Sequence, residues 1–369
     1  MSQLATVDQM LNSPEVLEMF ERAQELAPAA AEANQQIFEQ YLNEYAELAG
    51  AIINVLIPVG THPDMERYLY GPLSAYSENG GKRHRPLICL AAAHAVGGDH
   101  RRAFSSGAAI EHFHTAALIH DDIADDAELR RGEPCMHLTI GEGLAINAGD
   151  LALSVVNGIV MRDPLLDDAT KVRVALELVT MAQHTVEGQA LDIGWARDGR
   201  YDLSLEDYLT MAIHKTAYYS GAVPLAVGAI VGGGSEDQIE GLRQFGMDTG
   251  LAFQIQDDLL NLVGTEEETK KDFRNDITEG KRTLMVVHAL ENSPQRDRLI
   301  EILSLHTKDP ALLQEAVDIM EASGSIAYAR EYADQLVQDA KARLVELVDP
   351  SISRDLLVSM ADWFVERLQ

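Results

Sequence analysis

Apolar residues recur at three- and four-residue spacing along almost all of this 369-residue chain. That spacing places them on one face of an α-helix. Segments 14–27, 31–57, 83–97, 101–126, 142–161, 167–193, 205–231, 236–264, 283–291, 309–322, 325–347 and 350–368 all carry it. The apolar/polar alternation of a half-buried strand is nearly absent. The breaks are sharp: Pro58–Pro63, Gly97-Gly98, Asp163-Pro164, Asp198-Gly199, Gly232–Gly234 and Ser293-Pro294. Such a chain can bury its apolar stripes only by packing helix on helix. The expected fold is all-α, a single-domain bundle of roughly a dozen helices around a central cavity. Residues 1–30 are expected to form an N-terminal helical arm, and 31–369 one domain, because no compositional shift divides the rest.

Acidic residues outnumber basic ones by 59 to 29, giving a formal charge of −30. That excludes nonspecific nucleic-acid binding through a basic surface and is read as solubility. The two cysteines, Cys89 and Cys135, belong to no metal-spacing motif. The N-terminus lacks the charged-then-apolar pattern of a leader, and no uninterrupted apolar run reaches membrane-spanning length. The expectation is a cytoplasmic, reduced protein with no stable membrane insertion and no nucleic-acid partner.

Against this background two acidic clusters stand out. Asp121, Asp122 and Asp125 end a long helical segment whose upstream residues, Phe113, Ala116, Ala117 and Leu118, are apolar. Asp257, Asp258 and Asn261 repeat the spacing in a second segment, after Phe253-Gln254-Ile255-Gln256. Positions i and i+4 share a helix face, so each cluster presents oxygen ligands together. Carboxylates at a helix C-terminus oppose the macrodipole, a cost more easily understood if a cation sits there. A single such cluster reads as a solvated helix end; two of matched spacing point to Mg²⁺, which takes one or two carboxylates and completes its shell with water and phosphate oxygens.

The basic residues complement them. Gly80-Gly81-Lys82-Arg83-His84-Arg85-Pro86 sets two glycines beside three cations at a helix start, a combination suited to an anion. Arg130-Arg131-Gly132 follows the first acidic cluster, and Lys271 and Lys281 follow the second. Lys215-Thr216 lies in a third helical segment. Each alone is an ordinary surface charge; grouped beside acidic motifs in so acidic a chain, they describe a charge-compensated polyanion site.

These stretches, GGKRHRP, HTAALIHDDIADDAELRRGEP, NAGDLAL, GQALD, HKT, FQIQDDLLN and KKDFRNDITEGK, resemble the trans-isoprenyl diphosphate synthases of the polyprenyl synthetase family. They occur in that family's order and cover roughly residues 40–365. The resemblance implies the isoprenoid synthase fold, a catalytic domain over 31–369, and a Mg²⁺-dependent prenyltransferase. Its substrates would be isopentenyl diphosphate and an allylic diphosphate. It further implies that Asp121, Asp122 and Asp125, with Asp257, Asp258 and Asn261, are metal ligands. Lys82, Arg85, His114 and Arg131 match the isopentenyl diphosphate pocket; without the resemblance, His114 reads as a core histidine. Arg130, Lys215, Thr216, Gln254, Lys271 and Lys281 match positions around the allylic diphosphate, with Lys215, Thr216 and Gln254 stabilising the carbocation. Asn261 departs from the aspartate common in the family but keeps an oxygen ligand. A homodimer through helices early in the chain is also implied.

Product length follows from the residues before Asp121. One helical turn, ~5.4 Å, is close to one extended isoprene unit. Members that stop early carry a bulky aromatic four or five residues before the first aspartate; here those positions are Ala117 and Ala116. Phe113, a turn deeper, becomes the expected floor, and the expected product is C20 geranylgeranyl diphosphate. A floor supplied by another helix would give longer polyprenyl products. A class I terpene cyclase fits less well, because DDLLN is intact and Glu279 stands where a cyclase carries Ser or Thr. A non-catalytic partner subunit fits less well, because both acidic motifs are kept.

Overall fold

The structure is a computed structural model; it describes Pro14, residues 37–264 and residues 274–365. Apart from Pro14, the segment expected as a helix at 14–27 and the rest of the 1–30 arm lie outside the described residues, as does Lys271. The elements are α1 Ile37–Val55, α2 Pro63–Met65, α3 Gly71–Glu78, α4 His84–Ala95, α5 Phe104–Ala124, α6 Met136–Ile140, α7 Glu142–Met161, α8 Asp168–Arg197, α9 Leu205–Ala212, α10 Val223–Gly232, α11 Glu236–Val263, α12 Asn275–Thr278, α13 Leu284–Asn292, α14 Arg296–Ser304, α15 Pro310–Ala322, α16 Ser325–Leu347 and α17 Ile352–Val365. Wider π-turns occur at Glu66–Tyr70 and Ile213–Ala222. The strands β1 Leu129–Arg130 and β2 Glu133–Pro134 form one antiparallel hairpin just after α5. The all-α expectation holds.

Among the described residues, five helices lie outside the segments expected from periodicity; α2, α6 and α12 are too short to show a helical period, and α3 and α14 have other reasons. In α3, Gly71-Pro72 looks like a break, but the proline sits in the first turn, where no N–H partner is lost. In α14, the sequence RDRLIEILS buries only Leu299, Ile302 and Leu303. That stripe is too short to register against its charged remainder.

The chain divides into two compact units. The first comprises Met1–Thr180, Ala222–Gln244 and Arg343–Trp363; the second comprises Met181–Gly221, Phe245–Ala342 and Phe364–Gln369. In the first unit α5 packs along α7, and α4 packs against α5 and α10. Small residues allow these close crossings: a Cβ on Gly228 of α10 would stand 2.2 Å from the Cys89 carbonyl oxygen of α4. Ala116 and Ile119 of α5 join Ala145, Ala148 and Ala152 of α7 in one buried cluster with Ile57, Leu73 and Met136. In the second unit α9 packs on α13, and α13, α14 and α15 pack on one another.

By length and composition alone α7 could cross a membrane. Asp150 interrupts it, and its inward face, Ala145, Ala148, Gly149, Ala152, Val155, Val156, Ile159 and Val160, is buried within the first unit. The helix is apolar because it builds that core.

Candidate active site

In the first unit the glycine turn is built by backbone conformations that favour glycine. Gly80 and Gly81 have φ of 72° and 120°, and Arg83, at φ 50°, starts α4. The turn leaves Lys82 exposed, with Nζ 4.4 Å from the Trp363 ring centroid. Arg83 and Arg85 turn inward and are each 5% exposed. Arg83 Nη1 donates to Glu111 Oε1 at 2.9 Å, and its Nη2 donates to the Ser77 carbonyl. Arg131 clamps the turn from outside, donating from Nη1 to the carbonyls of Asn79 (3.3 Å) and Gly80 (2.6 Å). Its guanidinium lies so close to Gly81 that a Cβ there would meet it at 3.0 Å.

His114 is buried beside these cations. Desolvation first, then the charges of Arg85, Arg131, His84 and Arg83, holds its imidazole neutral, well below the ordinary histidine range. Burial, followed by Arg83, also lowers the basicity of Arg131. Arg85 and Arg131 thus concentrate positive charge around neutral His114, with Lys82 on the same turn. An incoming diphosphate would relieve that strain.

The first acidic motif sits at the C-terminal end of α5, as its spacing implied. Asp121 and Asp122 are in the last turn, and Asp125 is the C-cap, with its N–H donating to the Asp121 carbonyl at 2.9 Å. The three aspartates are not equivalent. Asp122 is 1% exposed and already engaged: Tyr76 Oη donates to its Oδ2 at 2.9 Å, and Arg130 Nε to its Oδ1 at 2.7 Å. Arg130 Nη2 also lies 4.0 Å from Asp121 Oδ2. Burial works against the Arg130 charge, but Asp122 outweighs it and raises the guanidinium pKa further. Tyr76 is pushed up by burial and then by Asp122, so it stays a proton donor. The hairpin β1–β2 presents Arg130 to this pair. Asp121 and Asp125, one helical turn apart and part-exposed, offer the outward carboxylates.

The second motif lies in α11, within the second unit. Asp258 is 8% exposed; it accepts from Gln254 Nε2 at 2.7 Å and from Tyr208 Oη at 3.2 Å. Burial, then the neighbouring charges of Asp276, Asp257 and Asp192, raises the Asp258 pKa well above the carboxylate range. Asp276 and Asp192 were not singled out from the sequence, although both lie in quoted stretches, KKDFRNDITEGK and GQALD. Lys215 pairs with Asp192, and Lys281 with Glu279 and, at 3.7 Å, with Asp276. Asn261 is committed locally: its Oδ1 accepts the Asp276 N–H at 3.2 Å. Its side chain therefore orients the segment carrying Asp276, a role the sequence did not suggest. So many carboxylates beside one buried carboxyl group form a donor set that a hard divalent cation would stabilise. Lys215 and Thr216 stand on the π-helical stretch Ile213–Ala222, and Thr216 is 7% exposed. Such wide turns often mark functional positions.

The residues expected to measure the product separate by burial. Ala116 is fully buried in the α5–α7 cluster, Phe113 is 3% exposed, and Ala117 is part-exposed. Tyr76 and Tyr208, which hold Asp122 and Asp258, carried no sequence signal.

The chain matches the polyprenyl synthetase family over residues 66–320. A short chain isoprenyl diphosphate synthase of Methanothermobacter thermautotrophicus is 42% identical over 327 residues, 88% of this chain and 97% of that protein. A geranylgeranyl diphosphate synthase of Sulfolobus acidocaldarius is 32% identical, over 89% of this chain and 98% of its own. The crystal structure of geranylgeranyl pyrophosphate synthetase from Pyrococcus horikoshii superposes with a TM-score of 0.81 at 34% identity, covering 90% of this chain and 98% of that one. The chain therefore belongs to the polyprenyl synthetase family and is a prenyltransferase of the isoprenyl diphosphate synthase type.

Proposed function

We propose that this prenyltransferase condenses isopentenyl diphosphate with allylic diphosphates and stops at C20 geranylgeranyl diphosphate. The observation that carries the substrate reading is the pair of cations Arg85 and Arg131 around buried, neutral His114, beside the turn bearing Lys82. It is a diphosphate receptor with no catalytic nucleophile, as an addition of one prenyl unit to another requires. Several similar proteins are named geranylgeranyl diphosphate synthases, which supports the product length.

The reaction breaks the allylic C–O bond, and the diphosphate leaves with the electron pair. The double bond of isopentenyl diphosphate then attacks the allylic carbon, and transfer of a proton to the released diphosphate restores an allylic diphosphate five carbons longer. Asp121 and Asp125 in the first unit, and Asp257 and Asp258 in the second, would each hold magnesium, which would supply charge neutralisation for the leaving group. Lys215 and Lys281 add fixed positive charge. Arg130 holds Asp122 in place and keeps a guanidinium near Asp121. The Gln254 amide donates to Asp258, which leaves its carbonyl oxygen as the dipole for a carbocation. The Thr216 hydroxyl is a second dipole. Neutral His114 offers a hydrogen bond to isopentenyl diphosphate without adding charge. Phe113 is the floor of the tail channel, with Ala117 small enough to let the chain pass.

The same reading makes the enzyme a cytoplasmic homodimer. Ile146, Leu153 and Met161 of α7 and Val172, Leu176 and Val179 of α8 are 37–64% exposed, an apolar surface that a second copy would cover. Cys89 and Cys135 are both buried and form no disulfide among the described residues, which suits a reducing compartment.

The test is incubation with isopentenyl diphosphate and dimethylallyl, geranyl or farnesyl diphosphate, with and without Mg²⁺, followed by chromatography of the dephosphorylated products. A Mg²⁺-dependent C20 alcohol is expected. No condensation with any primer removes the reading, and a predominantly longer alcohol overturns the C20 assignment.

A further inference from the structure

Within the second unit, three potential metal ligands converge away from the aspartate motifs. His184 and Glu187 lie one turn apart on α8, and His214 stands on the π-helical stretch that follows α9. Their ligand atoms all lie within 4.8 Å of one another. Both rings face one carboxylate oxygen: His184 Nδ1 is 3.1 Å from Glu187 Oε2, and His214 Nε2 is 3.9 Å from the same atom.

The surroundings orient each ligand. His214 Nδ1 is 2.8 Å from the Thr210 carbonyl, which fixes the proton on Nδ1 and leaves the Nε2 lone pair toward Glu187. Gln183 Nε2 donates to Glu187 Oε1 at 2.8 Å, which leaves Oε2 as the oxygen shared by the rings. The two imidazoles meet edge to face at 4.7 Å, and the Tyr218 ring packs edge-on against His184 at 4.8 Å, so neither ring is an isolated surface side chain. The backbones approach closely here because residue 188 is glycine: a Cβ there would stand 2.2 Å from the Lys215 nitrogen.

We propose that His184, Glu187 and His214 form a binding site for a divalent transition metal of the zinc class, separate from the diphosphate-linked magnesium sites. Two imidazoles and one carboxylate suit Zn²⁺, Co²⁺ or Ni²⁺ and do not suit Mg²⁺, which prefers an all-oxygen shell. Three protein ligands leave one position for water. With its N–H on Nε2, neutral His184 would offer Nδ1 to the ion, which would replace the hydrogen bond to Glu187 Oε2. Occupancy ties α8 to the residue preceding Lys215, so the metal would clamp the π-helical stretch.

The test is calorimetric titration of Zn²⁺ into the full-length protein in excess Mg²⁺, which blocks the aspartate motifs. It compares wild type with His184→Ala, His214→Ala and the near-isosteric His184→Gln. Circular dichroism checks that each variant is folded. The expected result is one Zn²⁺ per chain in wild type, bound at least tenfold more weakly in every folded variant, with Zn²⁺ raising the Tm of wild type alone. An Asp257→Asn chain should keep the site. Equal Zn²⁺ affinity and stoichiometry in wild type and variants, or no Zn²⁺ binding by wild type, would overturn the proposal. So would loss of the Zn²⁺ signal in Asp257→Asn alone. None of these outcomes depends on prenyl transfer.

Discussion

The buried pair Arg83–Glu111 gives the sharpest test of how the glycine turn is held. The two side chains are 5% and 2% exposed, with N and O 2.9 Å apart. At an effective dielectric near 20, charge centres about 4 Å apart attract by about 4 kcal/mol. Removing one partner strands the other charge; breaking buried pairs in this way costs about 3–5 kcal/mol. Arg83→Met leaves the Glu111 carboxylate alone, and among the described residues its Oε2 already lacks a hydrogen-bond partner. Glu111→Leu leaves the Arg83 guanidinium, among the described residues, with the Ser77 carbonyl. Each single variant should lose about 3–5 kcal/mol, and the double variant should lose less than either, because no charge is stranded. Urea unfolding of the first unit can be followed by Trp363 fluorescence in a Trp195→Phe background, since the chain has two tryptophans. With a slope of about 3 kcal/mol per molar, each single variant should lower the midpoint by at least about 1 M. Single variants within about 1 kcal/mol of wild type, or a double variant as unstable as the two losses added, would refute the reasoning.

Four further outcomes follow from the same structure. Burial pushes the His112 imidazole down to about 4, against an unfolded value near 6.5. The unfolded chain therefore binds the extra proton, and stability falls as pH drops from about 6.5 to about 4, by roughly 3 kcal/mol from this group; in acid titrations monitored by circular dichroism, His112→Gln should flatten that stretch of the curve. Asp257→Ala and Lys215→Ala should each cut kcat by about 10²–10³-fold, as loss of a transition-state charge contact does, measured with saturating isopentenyl diphosphate. Ala117→Phe should shift the product toward C15 and Phe113→Ala beyond C20, read by chromatography; an unchanged spectrum in both removes the proposed ruler. Leu176→Glu should shift the molecular mass by light scattering from dimer to monomer, because it charges a side chain 64% exposed on the apolar α8 surface.

Much of the molecule is legible in the chain. The three- and four-residue spacing determines an all-α protein, because no other element presents such stripes. It also locates α5 and α11, which carry the two acidic clusters. The glycine turn is readable too, since Gly80 and Gly81 have φ values that other residues rarely adopt. Where local signals cancel, the reading fails: α3 hides behind Gly71-Pro72, and the π-helical stretch bearing His214, Lys215 and Thr216 looks like ordinary helix.

What the tertiary structure alone decided is which partners each charge receives. DDIADD reads as a run of equivalent carboxylates, yet folding buries Asp122 against Tyr76 and Arg130 and leaves Asp121 and Asp125 outward. Asn261 reads as a weakened metal ligand, yet its oxygen accepts a backbone N–H from a residue in another element. His184 and Glu187 share a helix turn, but His214 meets them through packing, where Gly188 lets two backbones approach. Helical periodicity is a local property, fixed by neighbours three and four residues away. Charge pairing and ligand convergence depend on contacts between distant residues, and only packing creates those.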